Sequence, residues 1–418
     1  MRDAVAVAER WVAALELELP AAVALRRELH ASPRLSGDEH DAAAFIEREL
    51  RDVLSLETVA DAGRIGRLEA AAPAAPASPA ASPAVAVRAE LDALPVAERT
   101  GAAFASTNGA MHACGHDVHQ AALVALVRSA ARAGLPFALA PMLQPREETY
   151  PSGALDILES GALERLDVRH VIGAHVHPGV PAGSVAVGDG YINAAADEVR
   201  ISISGRGGHG AYPHEAQDPV AAIAQIALSL QETVRRTVSP MNPALVSIGT
   251  LIAGEGAANV LPADSFLRAT VRTTDARDRE AIAVAIERLA THTALAFGVE
   301  ATVEVGRGEP VLLNDARIAL GAEHWLGVMG VPVDPPMRSL GADDFSYFTE
   351  ALPSIMMFAG VREPDRADMP ALHDARFLPD DRAVRTVALA MLAGCLSAAE
   401  ALAGGPAAPH LPVAPRGA

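Results

Sequence analysis

Ala84-Val-Ala-Val87, Phe137-Ala-Leu-Ala140 and Val171-Ile-Gly-Ala174 are three short apolar runs, and a helical pattern, Ala121 to Ala131, lies between the first two. Runs this uniformly apolar suit strands buried on both faces. Their alternation with helices is what a parallel sheet in an α/β fold requires. Upstream, residues 7 to 30 carry Val7, Trp11, Leu15 and Leu25 at helical spacing, with Pro20-Ala21 offering a break and restart, so two amphipathic helices are expected. The α/β pattern resumes near Leu312 to Met329 and at Ile355-Met-Met-Phe358.

Between these parts the pattern changes. Val199-Arg-Ile-Ser-Ile203 alternates as a half-buried strand, and Asp218-Pro219 opens a helix as cap and first residue, with Val220, Ile223, Ala227 and Leu230 as its stripe. Strands at Leu245–Ile248 and Leu267–Arg272, a helix near Arg279 to Ala296 and a strand at Ala301–Val305 follow. The order β-α-β-β-α-β is that of a ferredoxin-like unit. The expected organisation is therefore a discontinuous domain of residues 1–195 and 307–403, an inserted α+β domain of residues 196–306, and a disordered tail of residues 404–418. The Ala/Pro/Ser tract Glu69 to Ala84 reads as a spacer.

Composition narrows the chemistry. The chain has 418 residues, 50% of them hydrophobic, enough for a sizeable core, and a formal charge of −18. That charge repels nucleic acid and anionic lipid, so neither is an expected partner. There is no lysine, so all 34 basic residues are arginine, which excludes lysine-dependent phosphate loops and Schiff-base catalysis. Cys114 and Cys395 are the only cysteines, far apart, which favours a reducing compartment over a disulfide framework. Met1-Arg2-Asp3-Ala4 does not lead into an apolar segment, and no run approaches the roughly 18 unbroken apolar residues of a membrane span. A soluble, cytoplasmic protein is expected.

Four stretches concentrate metal-binding side chains: Met111-His-Ala-Cys-Gly-His-Asp-Val-His119, Gln144-Pro-Arg-Glu-Glu148, Ala174-His-Val-His177 and Leu372-His-Asp374. Gly115 allows a tight turn that presents Cys114 and His116 to one centre. Asp117 and His119 either cap the next helix or orient a ligand. Glu147 and Glu148 follow a buried strand and Pro145; neighbours in an extended segment diverge, so one carboxylate binds metal while the other addresses a water. His175 ends an apolar strand, His177 is ligand or pocket wall, and His373 stands in a loop before Phe377. Ligands of open α/β sheets gather outside the carboxyl ends of strands, where Asp92, Glu147, Glu148 and His175 can converge. The reading is a two-metal hydrolase site.

With Arg26-Arg27 and His30, Arg88-Ala-Glu-Leu-Asp-Ala-Leu-Pro95, Gly205-Arg-Gly-Gly-His-Gly210, Asn259-Val-Leu-Pro262, Arg272-Thr273 and Gly341-Ala-Asp-Asp-Phe345 added to those stretches, the chain resembles the M20 family of metallo-amidohydrolases over roughly residues 20 to 395. The branch is that of hippurate hydrolases, indole-acetyl-amino-acid hydrolases and N-acyl-amino-acid deacylases. The resemblance implies a zinc-exopeptidase-like sheet and two divalent ions per subunit, zinc first, with manganese, cobalt or nickel as alternatives. It implies that Cys114 bridges the ions, with His116 and His175 on one, Glu148 and His373 on the other, and Glu147 as catalytic base. It further implies that His209 stabilises the reacting oxygen, that Asn259 and Arg272 clamp a substrate carboxylate, and that the protein is a homodimer or higher homo-oligomer. A small N-acyl-amino acid is the implied substrate. A metallo-exopeptidase and a catalytically silent metal-bound binding protein are the alternatives. Arg146, Thr149 to Ser152, Glu90 and Asp343 depart from the family pattern, and Arg146 with Tyr150 suggests an altered acyl preference.

Overall fold

A computed structural model describes residues 2–71, 82–254, 256–364 and 369–404. Residues 72–81 of the Ala/Pro/Ser tract and residues 405–418 of the expected tail lie outside them. The chain forms two compact units. The larger comprises Met1–Ile192, Leu313–Met337 and Tyr347–Ala418, and the smaller comprises Asn193–Leu312 with Arg338–Ser346.

The larger unit opens with one helix where two are expected, because α1 (Arg2–Ala31) runs through Pro20. Proline costs a helix interior about 3 kcal/mol. Trp11 and Leu15 before it, and Leu25 and Leu29 after it, are all buried in one core, and each large side chain contributes about 1.5–3 kcal/mol on burial. The core wins. Trp11 also donates from Nε1 to Ser129 Oγ at 2.9 Å, tying this helix to α3 (His116–Ala133). Between them run α2 (His40–Leu50), β1 (Leu56–Val59), β2 (Gly63–Gly66) and β3 (Ala84–Glu90). β4 (Ala138–Gln144), β5 (Val168–Pro181) and β6 (Val185–Ala186) follow. Every residue of β3 and β4 is buried, as coverage of both faces demands.

The smaller unit follows the order β7 (Ala195–Ser204), α4 (Pro219–Thr237), β8 (Ala244–Ala253), β9 (Asp264–Thr273), α5 (Ala276–Phe297) and β10 (Glu300–Arg307). Its strands form one antiparallel sheet in the order β8-β9-β7-β10, the ferredoxin-like arrangement. Val199, Ile201 and Ile203 turn inward against Ile223, Ile226 and Leu230 of α4. Asp218 caps α4, accepting from the Ala221 N–H at 3.0 Å, with Pro219 as its first residue. Of the expected stripe Ile223 and Leu230 are buried while Val220 is exposed, and Ala222, Ile226 and Val234 widen the buried face.

On its return the chain adds α6 (Ala316–Val328), β11 (Val333–Asp334), β12 (Ser354–Arg362) and α7 (Arg382–Ala403) to the larger unit. The completed sheet has the order β1-β2-β4-β3-β5-β12-β6-β11. β4, β3, β5 and β12 are mutually parallel at its centre, while β1, β2 and β6 join antiparallel neighbours. Among the described residues α7 is the one helix long and apolar enough to cross a bilayer. It is a core helix instead, with Val384, Val387, Met391 and Leu392 fully buried. The buried Arg26 guanidinium holds three parts together: Nε donates to Asp117 at 3.0 Å, Nη1 to Asp381 at 2.8 Å and Nη2 to the Pro379 carbonyl at 2.8 Å.

The smaller unit has its own charged anchor. Asp197 is buried and accepts from Arg279 (2.9 and 2.5 Å), Arg307 (2.9 Å) and the Gly308 N–H (3.2 Å). Burial opposes its ionisation, but these donors outweigh that and hold its carboxyl below the usual range. A depressed carboxylate stabilises the fold above its unfolded value and loses that contribution as pH falls through the folded value. Asp197→Asn is therefore expected to cost about 2–3 kcal/mol in urea unfolding at neutral pH. The gap to the parent should stay constant down to about pH 5 and narrow below about pH 4.

Candidate metal centre

The site is assembled by one face of α3 reading the end of β3. His116, His119 and Gln120 lie three and four residues apart, on one side of the helix. Gln120 donates to the carbonyls of Glu90 (2.8 Å) and Leu91 (3.2 Å), His116 Nδ1 to the Asp92 carbonyl (2.8 Å), and His119 pairs with the Glu90 carboxylate (2.8 Å). The helix begins at His116, earlier than its apolar pattern indicates. Gly115 holds the cap position at φ +85°, and a β-carbon there would stand 2.4 Å from Val176 Cγ2. Asp117 is no cap, because its carboxylate binds Arg26 and His30 instead.

Five side chains carry their donor atoms toward one another. Cys114, His116 and Glu148 offer atoms within 4.8 Å of each other. Cys114 Sγ is 3.4 Å from His175 Nε2, and Glu148 Oε1 is 3.4 Å from His373 Nε2. A carbonyl only accepts, so His116 carries hydrogen on Nδ1 toward Asp92, and His175 carries it on Nδ1 toward the Val176 carbonyl at 2.7 Å. Both rings thus turn Nε2 inward. His116 Nε2 and Glu148 Oε1 are buried without a hydrogen-bond partner. His373 is set by its backbone, at φ +68° with its N–H on the Ala113 carbonyl at 2.9 Å.

His119 lies close enough to Glu90, His116 and His175 to join a ligand cluster. Its nitrogens are already committed. The Val176 N–H can only donate, and it donates to Nε2 at 2.9 Å, so Nδ1 carries the hydrogen that reaches Glu90. Glu90 in turn binds Arg88, whose Nε donates to Gln144 Oε1 at 2.9 Å. His119 therefore orients the strand that carries His175.

Glu147 and Glu148 sit in a bend and diverge: Glu147 Oε2 is 3.7 Å from His116 Nε2, while Glu148 faces Cys114 and His373. Burial, with Glu148, Glu147 and Glu90 alongside, pushes the Cys114 thiol well above its ordinary range. Burial opposes charge on His116, but Glu90, Asp92 and Glu148 outweigh it and raise the imidazole to about 10. Burial and the neighbouring His119 hold His175 well below its usual value. A thiolate is tenable in such surroundings only beside added positive charge. Sulfur, nitrogen and carboxylate donors turned inward together fit divalent cations of the zinc kind.

Other candidates stand elsewhere. His177 accepts from the Gly179 N–H at 2.9 Å and packs on Phe358, as a wall residue does. His209, Asn259 and Arg272 belong to the smaller unit. There a two-residue ribbon sets His209 opposite Val260, the Gly210 N–H donates to the Asn259 carbonyl at 2.7 Å, and Arg272 lies half-buried on β9. Arg146, expected with Tyr150 to alter acyl preference, makes contacts within the larger unit. Its guanidinium is held by Asp156 and the Pro151 carbonyl, and its N–H by Glu39 Oε1 at 2.8 Å. Ser36 and Glu39, which brace Asp92 and Arg146, carry no motif signal and are visible only in three dimensions.

Compared with known proteins, residues 86–394 match the family described as Peptidase family M20/M25/M40. N-acetyl-L-cysteine deacetylase of Bacillus subtilis is 33% identical over 348 residues, covering 81% of this chain and 80% of that protein. N-acetyldiaminopimelate deacetylase of Halalkalibacterium halodurans is 31% identical over 374 residues, covering 87% and 95%. The crystal structure of the YXEP protein of Bacillus subtilis, a dinuclear metal-binding peptidase from the M20 family, is similar at a TM-score of 0.78 and 28% identity, covering 92% of this chain and 99% of that one.

Gly115→Ala forces both a left-handed backbone and a clash with Val176 on the residue between Cys114 and His116. It should lower stability by about 2 kcal/mol in urea unfolding and reduce the zinc retained after dialysis.

Proposed function

The chain belongs to peptidase family M20/M25/M40, a family of hydrolases, and on that premise we propose that it cleaves the amide of an N-acyl-amino acid to a carboxylic acid and a free amino acid. The observation that carries this reading is the buried convergence of Cys114, His116 and Glu148, with Glu147 beside them at 3.7 Å from His116. A binding protein needs the ligands but not that spare carboxylate. The relatives named for removal of acetyl groups from amino acids support the substrate class.

Cys114, His116, His175, Glu148 and His373 would hold two divalent cations; zinc suits this set first, ahead of manganese, cobalt or nickel. When bound, such ions polarise a carbonyl and acidify water. Glu147 takes a proton from the attacking water as its oxygen bonds to the acyl carbon. It then delivers that proton to the amide nitrogen as the C–N bond breaks, leaving an acid and an amine. His209 donates to the oxygen on which negative charge develops. Asn259 and Arg272 hold the carboxylate of the amino-acid half, and a charge-assisted contact from Arg272 offsets the repulsion of an acidic protein. These roles rest on the motifs that carry the residues. The enzyme works as a homodimer or larger homo-oligomer in the cytoplasm, where reducing conditions keep Cys114 free to bind metal.

Glu147→Gln should retain metal and lose about 10²–10⁴-fold in kcat. Equal, near-zero turnover by variant and parent, with metal bound in both, would point to a binding protein. On a panel of N-acetyl, N-benzoyl and N-indoleacetyl amino acids and dipeptides, the acyl-amino acids should be hydrolysed and the dipeptides spared. The reverse preference would make the protein an exopeptidase.

A further inference from the structure

We infer that Arg146 is a positioning residue for the catalytic base: its left-handed backbone, pinned by Glu39 on one side and by a short helix on the other, sets the direction in which Glu147 points. The inference rests on the role just proposed for Glu147.

Arg146 turns the chain out of β4 and stands at φ +49°. Side chains with a β-carbon rarely adopt that conformation, and arginine has none of the local hydrogen bonding that helps asparagine or aspartate to do so. Its polar groups are engaged on every side. The N–H donates to Glu39 Oε1 at 2.8 Å, and the carbonyl accepts from the Gly153 N–H at 3.2 Å. The guanidinium donates to the Pro151 carbonyl at 3.1 Å, to the Ala60 carbonyl at 3.5 Å and to the Asp156 carboxylate. The anchors are themselves fixed. Glu39 is fully buried, and its other oxygen accepts from the Gly37 N–H at 2.8 Å. Asp156 belongs to the short helix Gly153–Glu159, whose first residue lies so close to the turn that a β-carbon there would stand 1.7 Å from the Pro145 carbonyl oxygen.

Backbone strain persists only where the surroundings over-determine it, and here its consequence is directional. Glu147 begins one peptide beyond Arg146, so a rotation at 146 swings the carboxylate that now lies 3.7 Å from His116 Nε2. Glu148 has a separate hold, because its N–H donates to Asp92 Oδ2 at 2.9 Å. The base and the neighbouring ligand thus hang from different anchors. Releasing Arg146 mis-aims the first and leaves the second in place, and a displacement of about 1 Å at a reacting group costs roughly 100-fold in rate.

The test compares Arg146→Gly with Arg146→Val in full-length protein loaded with zinc. Both remove the guanidinium, but glycine accepts the left-handed backbone and valine opposes it. The substrate is N-acetyl-L-cysteine, or the compound of the panel above that the parent hydrolyses fastest. Arg146→Val should lose about 10–100-fold in kcat, with KM within about twofold of the parent and zinc content unchanged, while the loss in Arg146→Gly should be at least about fivefold smaller. Glu39→Gln leaves one carbonyl oxygen for two N–H donors. It should lower kcat and speed amide hydrogen exchange in the 146–153 peptide, with urea midpoints as the folding control. Parent-like kcat in Arg146→Val overturns the inference, as do equal losses in the glycine and valine variants, or a loss that follows zinc content or KM alone. Unchanged exchange in Glu39→Gln overturns the assignment of Glu39 as an anchor. Should Arg146→Val fail to fold, the double variant Glu39→Gln/Arg146→Gly decides: a smaller loss than in Glu39→Gln supports the inference, and an equal or larger one overturns it. Glu147→Gln is the reference throughout. If it matches an active parent, or if the parent hydrolyses no panel compound, the base assignment falls and takes this inference with it.

Discussion

Gln120 donating to the Glu90 and Leu91 carbonyls is the contact on which the centre depends, because it clamps α3 to the end of β3 before any ligand is considered. A strand end exposes carbonyls that its sheet no longer satisfies, and a buried carbonyl must find a donor. The helix supplies two, at positions 116 and 120, and a third, His119, pairs with the Glu90 carboxylate. One of the carbonyl donors is an imidazole, so satisfying the strand end also fixes the tautomer of His116. Satisfying the backbone and orienting a ligand are here one event.

Around that clamp the protein concentrates negative charge in a dry place. Glu90, Asp92 and the Cys114 thiol are buried, and Glu147 and Glu148 are mostly so. Arg88 neutralises Glu90, Ser36 with the Glu148 N–H stabilises Asp92, and Glu147 and Glu148 face the imidazoles of His116 and His373. Burial drives the thiol toward its neutral form and the carboxylates drive His116 toward its charged form. Divalent cations reverse both tendencies at once, since they demand thiolate and bare imidazole nitrogen. The energetic disadvantage of the metal-free pocket is the counterpart of its appetite for metal.

Much of this was legible in the amino-acid order. Apolar strands, β-α-β-β-α-β periodicity and clustered metal-binding residues needed only side-chain pattern, and they fixed the fold class and the residues worth inspecting. What escaped the pattern depends on partners remote in sequence. Pro20 breaks a helix locally but is overridden by burial against α3. His119 and His116 are the same residue type three positions apart, and only the Val176 N–H makes one an anchor and the other a donor with a free face. Arg146 stands one residue from Glu147 yet turns to Asp156, because a backbone at φ +49° directs it there. Asp92 looks like one acid among many until its Oδ2 is traced to Ser36 and the Glu148 N–H, on separate loops.

The central pairing of β12 with β5 joins segments separated by the whole smaller unit, and β12 also borders β6. On the ribosome, β5 therefore emerges with an open flank that has no mate until residues 354–362 follow. An unpaired parallel strand of such apolar character is a template for mispairing with other nascent chains. α7, the last described helix, supplies a further layer of core still later. The intervening segment forms its own antiparallel sheet meanwhile, so the enzyme's maturation is a wait for its C-terminal end, and any premature stop releases a sticky fragment for chaperones and proteases to clear.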